Sequence, residues 1–344
     1  MADAQTVAEV VTKAVAEVFA GAMDGDRRSR PMPLRLPKIS EGPWRKEYPF
    51  PSNFLELGPD RVVHYVDVGQ GPPAVMVHGN PSWSFMFRRL VKNLTGFRRL
   101  ALDHIGLGLS SRPASGYGFR LQERIDDFAA WIASLNLTEP MHLIVHDWGG
   151  PIALGWAGQN PEKIATLTIM NTGLRAPANY SPPPQLALFR LSKALRNLLA
   201  VNFNLFAGGV VRFCSVRPFR KLAAEGSLAP YRLPAHREAL SRFVDDIPIK
   251  PTHPSRQALA DADRRFERLA DKPTLLAWGL KDFVFSQPFF DDFRRRLPNA
   301  RLLPLPRAGH CLLEDEPETV FEAIRSLTAD YRAPSLALDG TSAA

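Results

Sequence analysis

The chain has 344 residues, of which 45% are hydrophobic and 23% are charged, and these ordinary globular values exclude a disordered or fibrous protein. Lysine and arginine outnumber aspartate and glutamate by 43 to 35, but the basic residues are scattered and form no basic helix, so the sequence predicts no nucleic-acid partner. Apolar runs fall short of the roughly 18 residues that a spanning helix needs, which predicts no membrane span. The two cysteines, Cys214 and Cys311, cannot form a disulfide framework and predict a cytoplasmic location.

The first 22 residues predict an amphipathic helix, because Val7, Val11 and Val18 belong to an apolar stripe with three- and four-residue steps. Charged residues such as Lys13 interrupt the stripe, which argues against a secretory signal. Such a helix either packs on its own domain or docks a second copy or a partner protein. Residues 21–44 are rich in Gly, Arg and Pro without periodicity, so residues 1–44 are predicted to be an N-terminal helix and linker.

From residue 45 onward, short apolar strands alternate with helices. This alternation predicts an α/β protein with a mostly parallel sheet covered by helices on both faces. The predicted strands are Arg61–Val68, Pro73–Val77, Leu100–Leu102, Met141–Val145, Ile164–Met170, Thr274–Trp278 and Leu302–Leu305. The predicted helices include an amphipathic stretch from Trp83 to Leu94, Leu121–Leu135 and one starting at Pro151.

The alternation stops between residues 173 and 265, a segment that opens with a Pro-rich stretch and continues with an apolar helix predicted over Leu186–Phe206. A helical insertion of this length between two strands predicts a cap over the carboxyl edge of the sheet, where open α/β sheets bind their ligands. The expected organisation is therefore a core of residues 45–172 and 266–332, a helical cap of residues 173–265, and a tail of residues 333–344.

Asp147 lies between a predicted buried strand and the start of a helix, which is the setting of a nucleophile elbow. The elbow usually reads G-x-S-x-G, but here Asp147 holds the serine position and Val145 the leading glycine position, with Gly149 trailing. A helix N-cap is the alternative reading of Asp147. An ionised carboxylate needs no base to activate it. It favours attack on an sp³ carbon with a leaving group, as in haloalkanes, epoxides or strained lactones.

A leaving anion needs hydrogen-bond donors in a dry pocket. Asn80, which follows a strand in His78-Gly79-Asn80-Pro81, offers an amide NH₂, and Trp148, beside Asp147, offers an indole N–H. The simpler interpretation of Asn80 is a turn residue. We expect this pair to stabilise the departing group.

The partners of the nucleophile should follow in the order acid, then histidine. His310 comes after the last predicted strand and is the candidate base, while Asp282 follows the preceding strand and is the candidate orienting acid. Asp282 could instead be a turn or cap residue. After strand Ile164–Met170 the sequence offers only Asn171. His310 would accept a proton from the water that attacks an alkyl ester, with Asp282 fixing its tautomer.

The glycines of Asp103–Ser110 match no phosphate-binding fingerprint, so this stretch predicts a tight turn. No His, Cys and Asp cluster has zinc spacing, and the chemistry needs no cofactor and no metal.

Together these motifs resemble the haloalkane dehalogenase group of the α/β-hydrolase superfamily over roughly residues 45–330. Arg242–Pro248 and Lys281–Phe285 are more similar to the subfamily that contains the β-lactone decarboxylases of bacterial olefin biosynthesis. The resemblance implies a capped site without a cofactor, and an Asp nucleophile that opens a hydrophobic cis-β-lactone with loss of CO₂ to give an alkene. It also implies association with other enzymes of that pathway, for which the N-terminal helix is a candidate contact.

Three alternatives remain open from the sequence. The first is hydrolytic dehalogenation of a haloalkane. The second is epoxide hydrolysis, which normally uses two cap tyrosines, for which the cap offers only Tyr180 and Tyr231. The third is a non-enzymatic scaffold whose cap or N-terminal helix binds a partner.

Overall fold

The computed structural model describes residues 36–37, 39, 41–113, 115–177, 192 and 196–330. The predicted N-terminal helix, most of the linker, Tyr180 and the tail lie outside the described residues. The described chain enters the fold through a short 3₁₀ helix, Pro43–Glu47, whose Trp44 is buried. None of the described helices has the length and apolar character that crossing a membrane requires.

One sheet of eight strands forms the centre of the fold. The strands are β1 (Asn53–Gly58), β2 (Arg61–Val68), β3 (Pro73–Val77), β4 (Arg98–Leu102), β5 (Met141–His146), β6 (Ile164–Met170), β7 (Thr274–Gly279) and β8 (Arg301–Leu305). Their order in the sheet is β1-β2-β4-β3-β5-β6-β7-β8. The pairs β1–β2 and β2–β4 are antiparallel and the other pairs are parallel, which confirms the predicted mostly parallel sheet.

Strand β1 was missed by the sequence prediction. It lies at the edge of the sheet, and its side chains alternate between half-buried and exposed, so it lacks the continuous apolar run of the inner strands. Phe54 is 50% exposed, and the register shifts between Glu56 and Gly58. An edge strand packed on one side carries a weaker apolar signal than a strand buried on both faces.

The α-helices that the structure describes lie on both faces of the sheet and between β6 and β7. They are α1 (Arg88–Asn93), α2 (Leu121–Ser134), α3 (Gly149–Ala157), α4 (Leu205–Phe213), α5 (Lys221–Leu228), α6 (Glu238–Asp245), α7 (Arg256–Arg265), α8 (Gln287–Arg296), α9 (Leu312–Asp315) and α10 (Pro317–Asp330).

The hydrophobic core is divided by the sheet into two layers. Along β3, Val75 and Val77 pack into one layer, whereas Ala74 and Met76 pack into the other. This division follows from the alternation of side chains along a strand. Every residue of α3 is buried, because this helix packs between β5, α2 and α7. Trp148, the residue that precedes α3, is therefore held against a rigid part of the core.

Between β6 and β7 the described chain is helical, as predicted. Of the helix predicted over Leu186–Phe206, residues 186–191 and 193–195 lie outside the described residues, and the prediction was wrong at its carboxyl end. A π-helix covers Asn197–Asn202, the chain then turns at Asn204 with φ of 56°, and α4 begins at Leu205. Asparagine is one of the few residues that tolerates this left-handed conformation. The cap boundaries at residues 173 and 265 stay a prediction.

Candidate active site

The turn between β5 and α3 gives Asp147 a backbone φ of 52°, which is unfavourable for residues other than glycine. Gly149 makes this turn possible, since a Cβ atom there would lie 2.0 Å from the carbonyl oxygen of Val77. The hydroxyl of Thr172 donates a hydrogen bond to the carbonyl oxygen of Asp147. The turn thus holds the Asp147 side chain at the carboxyl edge of the sheet.

The two oxygens of the Asp147 carboxylate have different surroundings. Oδ1 accepts a hydrogen bond of 2.7 Å from the backbone N–H of Asn80, and the backbone N–H of Trp148 also donates to the carboxylate. Oδ2 lies 3.9 Å from Nε2 of His310, beyond hydrogen-bond distance. Burial raises the pKa of Asp147 above its ordinary value, although His310 and the two backbone donors oppose the increase. One oxygen is therefore anchored and the other faces the imidazole.

His310 and Asp282 form a buried pair. Nδ1 of His310 lies 2.8 Å from Oδ2 of Asp282, and that carboxylate also accepts hydrogen bonds from the backbone of Val284 and the side chain of Asn171. Burial alone would lower the pKa of His310, but the charge and hydrogen bond of Asp282 raise it overall. Burial alone would raise the pKa of Asp282, but His310 and the other donors lower it overall. This arrangement fixes a proton on Nδ1 and leaves Nε2 directed at Asp147.

Two aromatic side chains hold the His310 ring in place. Nε2 of His146 lies 2.9 Å from the carbonyl oxygen of His310, and the two imidazole rings are 4.5 Å apart. Phe285 stacks on the His310 ring, with the two ring centroids 5.9 Å apart and an interplanar angle of 22°. Burial, followed by the nearby His310, lowers the pKa of His146 to about 3. His146 is thus neutral and supports the loop that carries His310.

The structure brings Asn80 and Trp148 to the same edge as Asp147, but it engages Asn80 in an unexpected way. Its side-chain amide donates a hydrogen bond of 3.1 Å to the carbonyl oxygen of Leu240 in α6. Its Oδ1 atom is buried and has no partner among the described residues. The half-buried Trp148 ring meets Phe243 edge to face at 5.6 Å. Both candidate donors are therefore in contact with the same cap helix.

Asn171, which the sequence analysis named but gave no role, supports the candidate acid. Its Oδ1 atom accepts a hydrogen bond of 2.8 Å from the backbone of Gly279, while its Nδ2 atom donates one of 2.8 Å to Asp282. The residue has φ of 29° at the end of β6. An asparagine directly after a buried strand was the available signal, because Asn is enriched where the backbone is left-handed. Asn171 ties the candidate acid to the neighbouring strand.

The Asp103–Ser110 stretch is a tight turn, as predicted, with Gly106 and Gly108 at positive φ. Asp103 is the centre of this turn. Its carboxylate accepts hydrogen bonds from the backbones of Ser84 and Leu109 and contacts Nδ1 of His64 at 2.8 Å. Burial alone would raise the pKa of Asp103, but His64, with smaller contributions from His78 and the Leu109 N–H, lowers it to about 2.

Tyr231 is the described one of the two cap tyrosines that the epoxide-hydrolase alternative needs. Tyr231 is buried, and its hydroxyl lies 3.3 Å from both the carbonyl oxygen of Ser82 and the backbone nitrogen of Gly108. Its hydroxyl is therefore already engaged outside the Asp147–His310 pair.

Within the described ranges, no three or more His, Cys, Asp and Glu side chains are grouped so that they could hold a metal ion.

A narrow cleft beside the site separates the cap from the core. It reaches the residues that follow Asn80 and His310, namely Pro81 and Cys311. Its walls are mostly apolar. The lining includes Trp83, Met86, Ala207, Val210, Val211, Phe219, Leu228 and Leu313.

Comparison with known proteins agrees with this geometry. Residues 72–317 match the family model described as the alpha/beta hydrolase fold. The chain is 40% identical over 281 residues to a cis-3-alkyl-4-alkyloxetan-2-one decarboxylase of Shewanella oneidensis, which covers 80% of this chain and 88% of that relative. It is 30% identical over 293 residues to haloalkane dehalogenase 2 of Mycobacterium tuberculosis, which covers 80% of this chain and 94% of that relative.

A similar fold is found in the crystal structure of haloalkane dehalogenase DatA from Agrobacterium tumefaciens C58, with a TM-score of 0.73 and 22% identity over 81% of this chain and 96% of that chain. The expected fold and the expected resemblance are both confirmed. The chain belongs to the α/β-hydrolase fold family, in the group of enzymes that includes the haloalkane dehalogenases and the cis-3-alkyl-4-alkyloxetan-2-one decarboxylases.

Proposed function

We propose that this enzyme decarboxylates a long-chain cis-β-lactone to an alkene, with Asp147 as nucleophile and Asn80 and Trp148 as the leaving-group site. His310, oriented by the acid Asp282, is the base that hydrolysis of an Asp147 ester would need. The observation that carries the proposal is the buried Asp147 carboxylate, with Oδ2 3.9 Å from His310 at an elbow that usually holds serine. The 40% identity to an oxetan-2-one decarboxylase supports the choice of substrate, because an oxetan-2-one is a β-lactone.

The reaction balances without water. Oδ2 of Asp147 attacks the sp³ ring carbon that is bonded to the ring oxygen. The bond between that carbon and the ring oxygen breaks, which leaves a carboxylate on the opened substrate. The product of this step is an alkyl ester of Asp147. The bond between the substrate carboxylate and its neighbouring carbon then breaks, and its electron pair forms the alkene as the ester C–O bond returns its electrons to Asp147. CO₂ and the free enzyme result.

Haloalkane hydrolysis is the second candidate, supported by 30% identity to a haloalkane dehalogenase over most of both chains. The first step has the same form, with halide as the leaving group. The alkyl ester then has no carboxylate to lose, so water must attack it, and His310 takes the proton. Epoxide hydrolysis has less support, because the Tyr231 hydroxyl is already bonded to the core.

Turnover in ¹⁸O-water separates the candidates. A cis-dialkyl β-lactone should give alkene and CO₂, with no ¹⁸O entering the Asp147 carboxylate, whereas a bromoalkane should give alcohol, with ¹⁸O entering Asp147. Asp147→Ala should abolish both reactions, and Asp126→Asn, a change on an exposed face of α2, should preserve them. Alkene formation by Asp147→Ala, or ¹⁸O in Asp147 after β-lactone turnover, would contradict the mechanism.

The association of the enzyme is also a proposal. The amphipathic pattern of residues 1–22 favours a contact with a second copy or with another enzyme of the same pathway, and two free cysteines favour a cytoplasmic location. Removing residues 1–22 should lower the number of chains per particle measured by light scattering, either for the enzyme alone or for its mixture with pathway enzymes. A particle that loses only the mass of the removed residues in both cases would reject this contact.

A further inference from the structure

A buried cation lies directly beside the leaving-group site. Arg124, on α2, is 2% exposed, and the carbon of its guanidinium is 5.2 Å from the ring centroid of Trp148. The same carbon is 3.6 Å from the ring centroid of Phe243, which itself meets Trp148 edge to face. Arginine keeps its charge in proteins. A full positive charge therefore sits among the aromatic rings that define the position of the indole.

The structure neutralises this charge only in part. Nη1 of Arg124 donates a hydrogen bond of 3.0 Å to one oxygen of Asp246. The other oxygen of Asp246 accepts hydrogen bonds from Arg120 at 3.1 Å and Ser255 at 2.6 Å. Two arginines thus share one carboxylate. Because Asp246 is shared with Arg120 and Ser255, it compensates the buried Arg124 only in part, whereas the charge of Arg120, whose side chain is 38% exposed, is screened by solvent.

Two of the three guanidinium nitrogens of Arg124 make no hydrogen bond to the described residues. Nε and Nη2 are buried without a hydrogen-bond partner among the described residues. Burying a charge with unpaired donors is costly, and apolar residues of similar volume often serve a purely structural role as well or better. A structural link between α2 and the cap therefore accounts poorly for an arginine here.

We propose that Arg124 is a positioning residue of the leaving-group site, which holds the Trp148 indole and adds positive potential where the anion departs. This proposal rests on the proposed function, in which an anion is released beside Trp148. A cation close to an aromatic ring is attracted to its π-electrons and polarises them, which strengthens the indole N–H as a donor. A fixed charge in a dry site also stabilises a developing carboxylate or halide without reorganisation.

This role explains a cap motif that the nucleophile chemistry leaves without a purpose. Phe243 and Asp246 are both on the Arg242–Pro248 stretch, and both contact the Arg124 guanidinium. The cap therefore places its aromatic face on one part of the cation and its carboxylate on another.

Bromide binding tests the proposal independently of turnover, and β-lactone kinetics give a second measurement. Bromide quenching of tryptophan fluorescence is measured in the wild type, with Trp148→Phe used to identify the Trp148 contribution. Arg124→Met should weaken bromide binding about tenfold and lower kcat for the β-lactone by a similar factor, with little change in KM. Arg124→Lys should restore part of both losses. The matched control is Arg120→Met, which removes the other partner of Asp246 and should change bromide affinity by less than about twofold.

A variant of opposite sign separates electrostatics from packing. Asp246→Asn removes the partly neutralising charge, so it should tighten bromide binding severalfold, whereas loss of a merely structural link would weaken it. Wild-type affinity in a folded Arg124→Met protein, or weaker binding in Asp246→Asn, would overturn the proposal. If Arg124→Met does not fold, Arg124→Lys and Asp246→Asn decide. A protein that binds bromide as expected but turns over no β-lactone would refute the proposed function and leave the role of Arg124 intact.

Discussion

Nε2 of His310 lies 3.9 Å from Oδ2 of Asp147, while Nδ1 of the same ring is 2.8 Å from Asp282. The imidazole therefore faces the Asp147 carboxylate without a hydrogen bond that would reduce its nucleophilicity. The same spacing would let the imidazole serve a water molecule that attacks the carboxyl carbon of an Asp147 ester. One arrangement can thus support both a water-free and a hydrolytic route.

His310→Gln should separate these two routes. We expect bromoalkane hydrolysis to fall by about 10²- to 10⁴-fold, since a general base contributes about that much. The alkyl ester on Asp147 should then accumulate and be visible as a mass increase of the intact protein. Alkene formation from the β-lactone should persist within about tenfold, because loss of CO₂ needs no base. Equal losses on both substrates would contradict the water-free route.

The acid limb of the pH profile should lie above the usual range of an aspartate. The nucleophile must be ionised, and burial raises the pKa of Asp147, so β-lactone activity should fall as the pH decreases through that raised value. His310 lowers the pKa of Asp147 by its charge, so His310→Gln should move this limb to higher pH. The measurement is kcat/KM against pH for both proteins. A limb that stays in place in the variant would show that the limb does not report on Asp147.

Asn171 should matter through Asp282. Asn171→Leu removes the donor to Asp282 Oδ2 and should lower haloalkane kcat by about tenfold, because supporting hydrogen bonds of this kind are worth about 1–2 kcal/mol. Asn171→Asp places a second carboxylate beside Asp282, which should raise the pKa of His310 further. Because only the neutral imidazole can accept a proton, the acid limb of haloalkane kcat should move to higher pH. Haloalkane kcat against pH for the two variants is the measurement. Profiles of identical shape would show that Asn171 does not act through Asp282.

Gly79 leaves the space that the Asp147 carboxylate occupies. A Cβ atom at Gly79 would lie 1.9 Å from Oδ1 of Asp147, so Gly79→Ala should displace the carboxylate and reduce turnover of either substrate by at least about 10². Gly208→Ala, in α4, is the matched control, since nothing lies within 4 Å of its added Cβ. Circular dichroism verifies that both variants are folded. Wild-type rates in Gly79→Ala would contradict the position of Asp147.

Asp103 should be important for stability, since it accepts two backbone hydrogen bonds and contacts His64 in a buried turn. Asp103→Asn should lower the free energy of unfolding by about 3–5 kcal/mol, as expected when one member of a buried pair is lost. Its native pKa of about 2 is below the ordinary aspartate value, so its stabilisation is present above the unfolded pKa and is lost as the pH falls toward 2. Urea unfolding at neutral and acidic pH measures both effects. A variant as stable as the wild type at neutral pH would contradict this assignment.

The sequence by itself predicted the nature and order of the inner strands and the residues at the carboxyl edge of the sheet. Buried parallel strands are continuous apolar runs, and the elbow pattern around Asp147 is local in the chain. These signals come from neighbouring residues, so they can be recognised without coordinates. Strand β1 and the break at Asn204 were not found, because a half-exposed edge and a single left-handed residue leave little trace in an apolar pattern.

The tertiary structure alone decided how distant residues support the site. Asn171 reaches Asp282 from another strand, His146 bonds to the His310 loop, and Arg124 lies beside Trp148 under a cap that begins far along the chain. Each of these contacts joins side chains separated by many residues and depends on where whole elements pack. Sequence periodicity reports which face of an element is buried, whereas the partner that meets that face is fixed only when the sheet and its cap assemble.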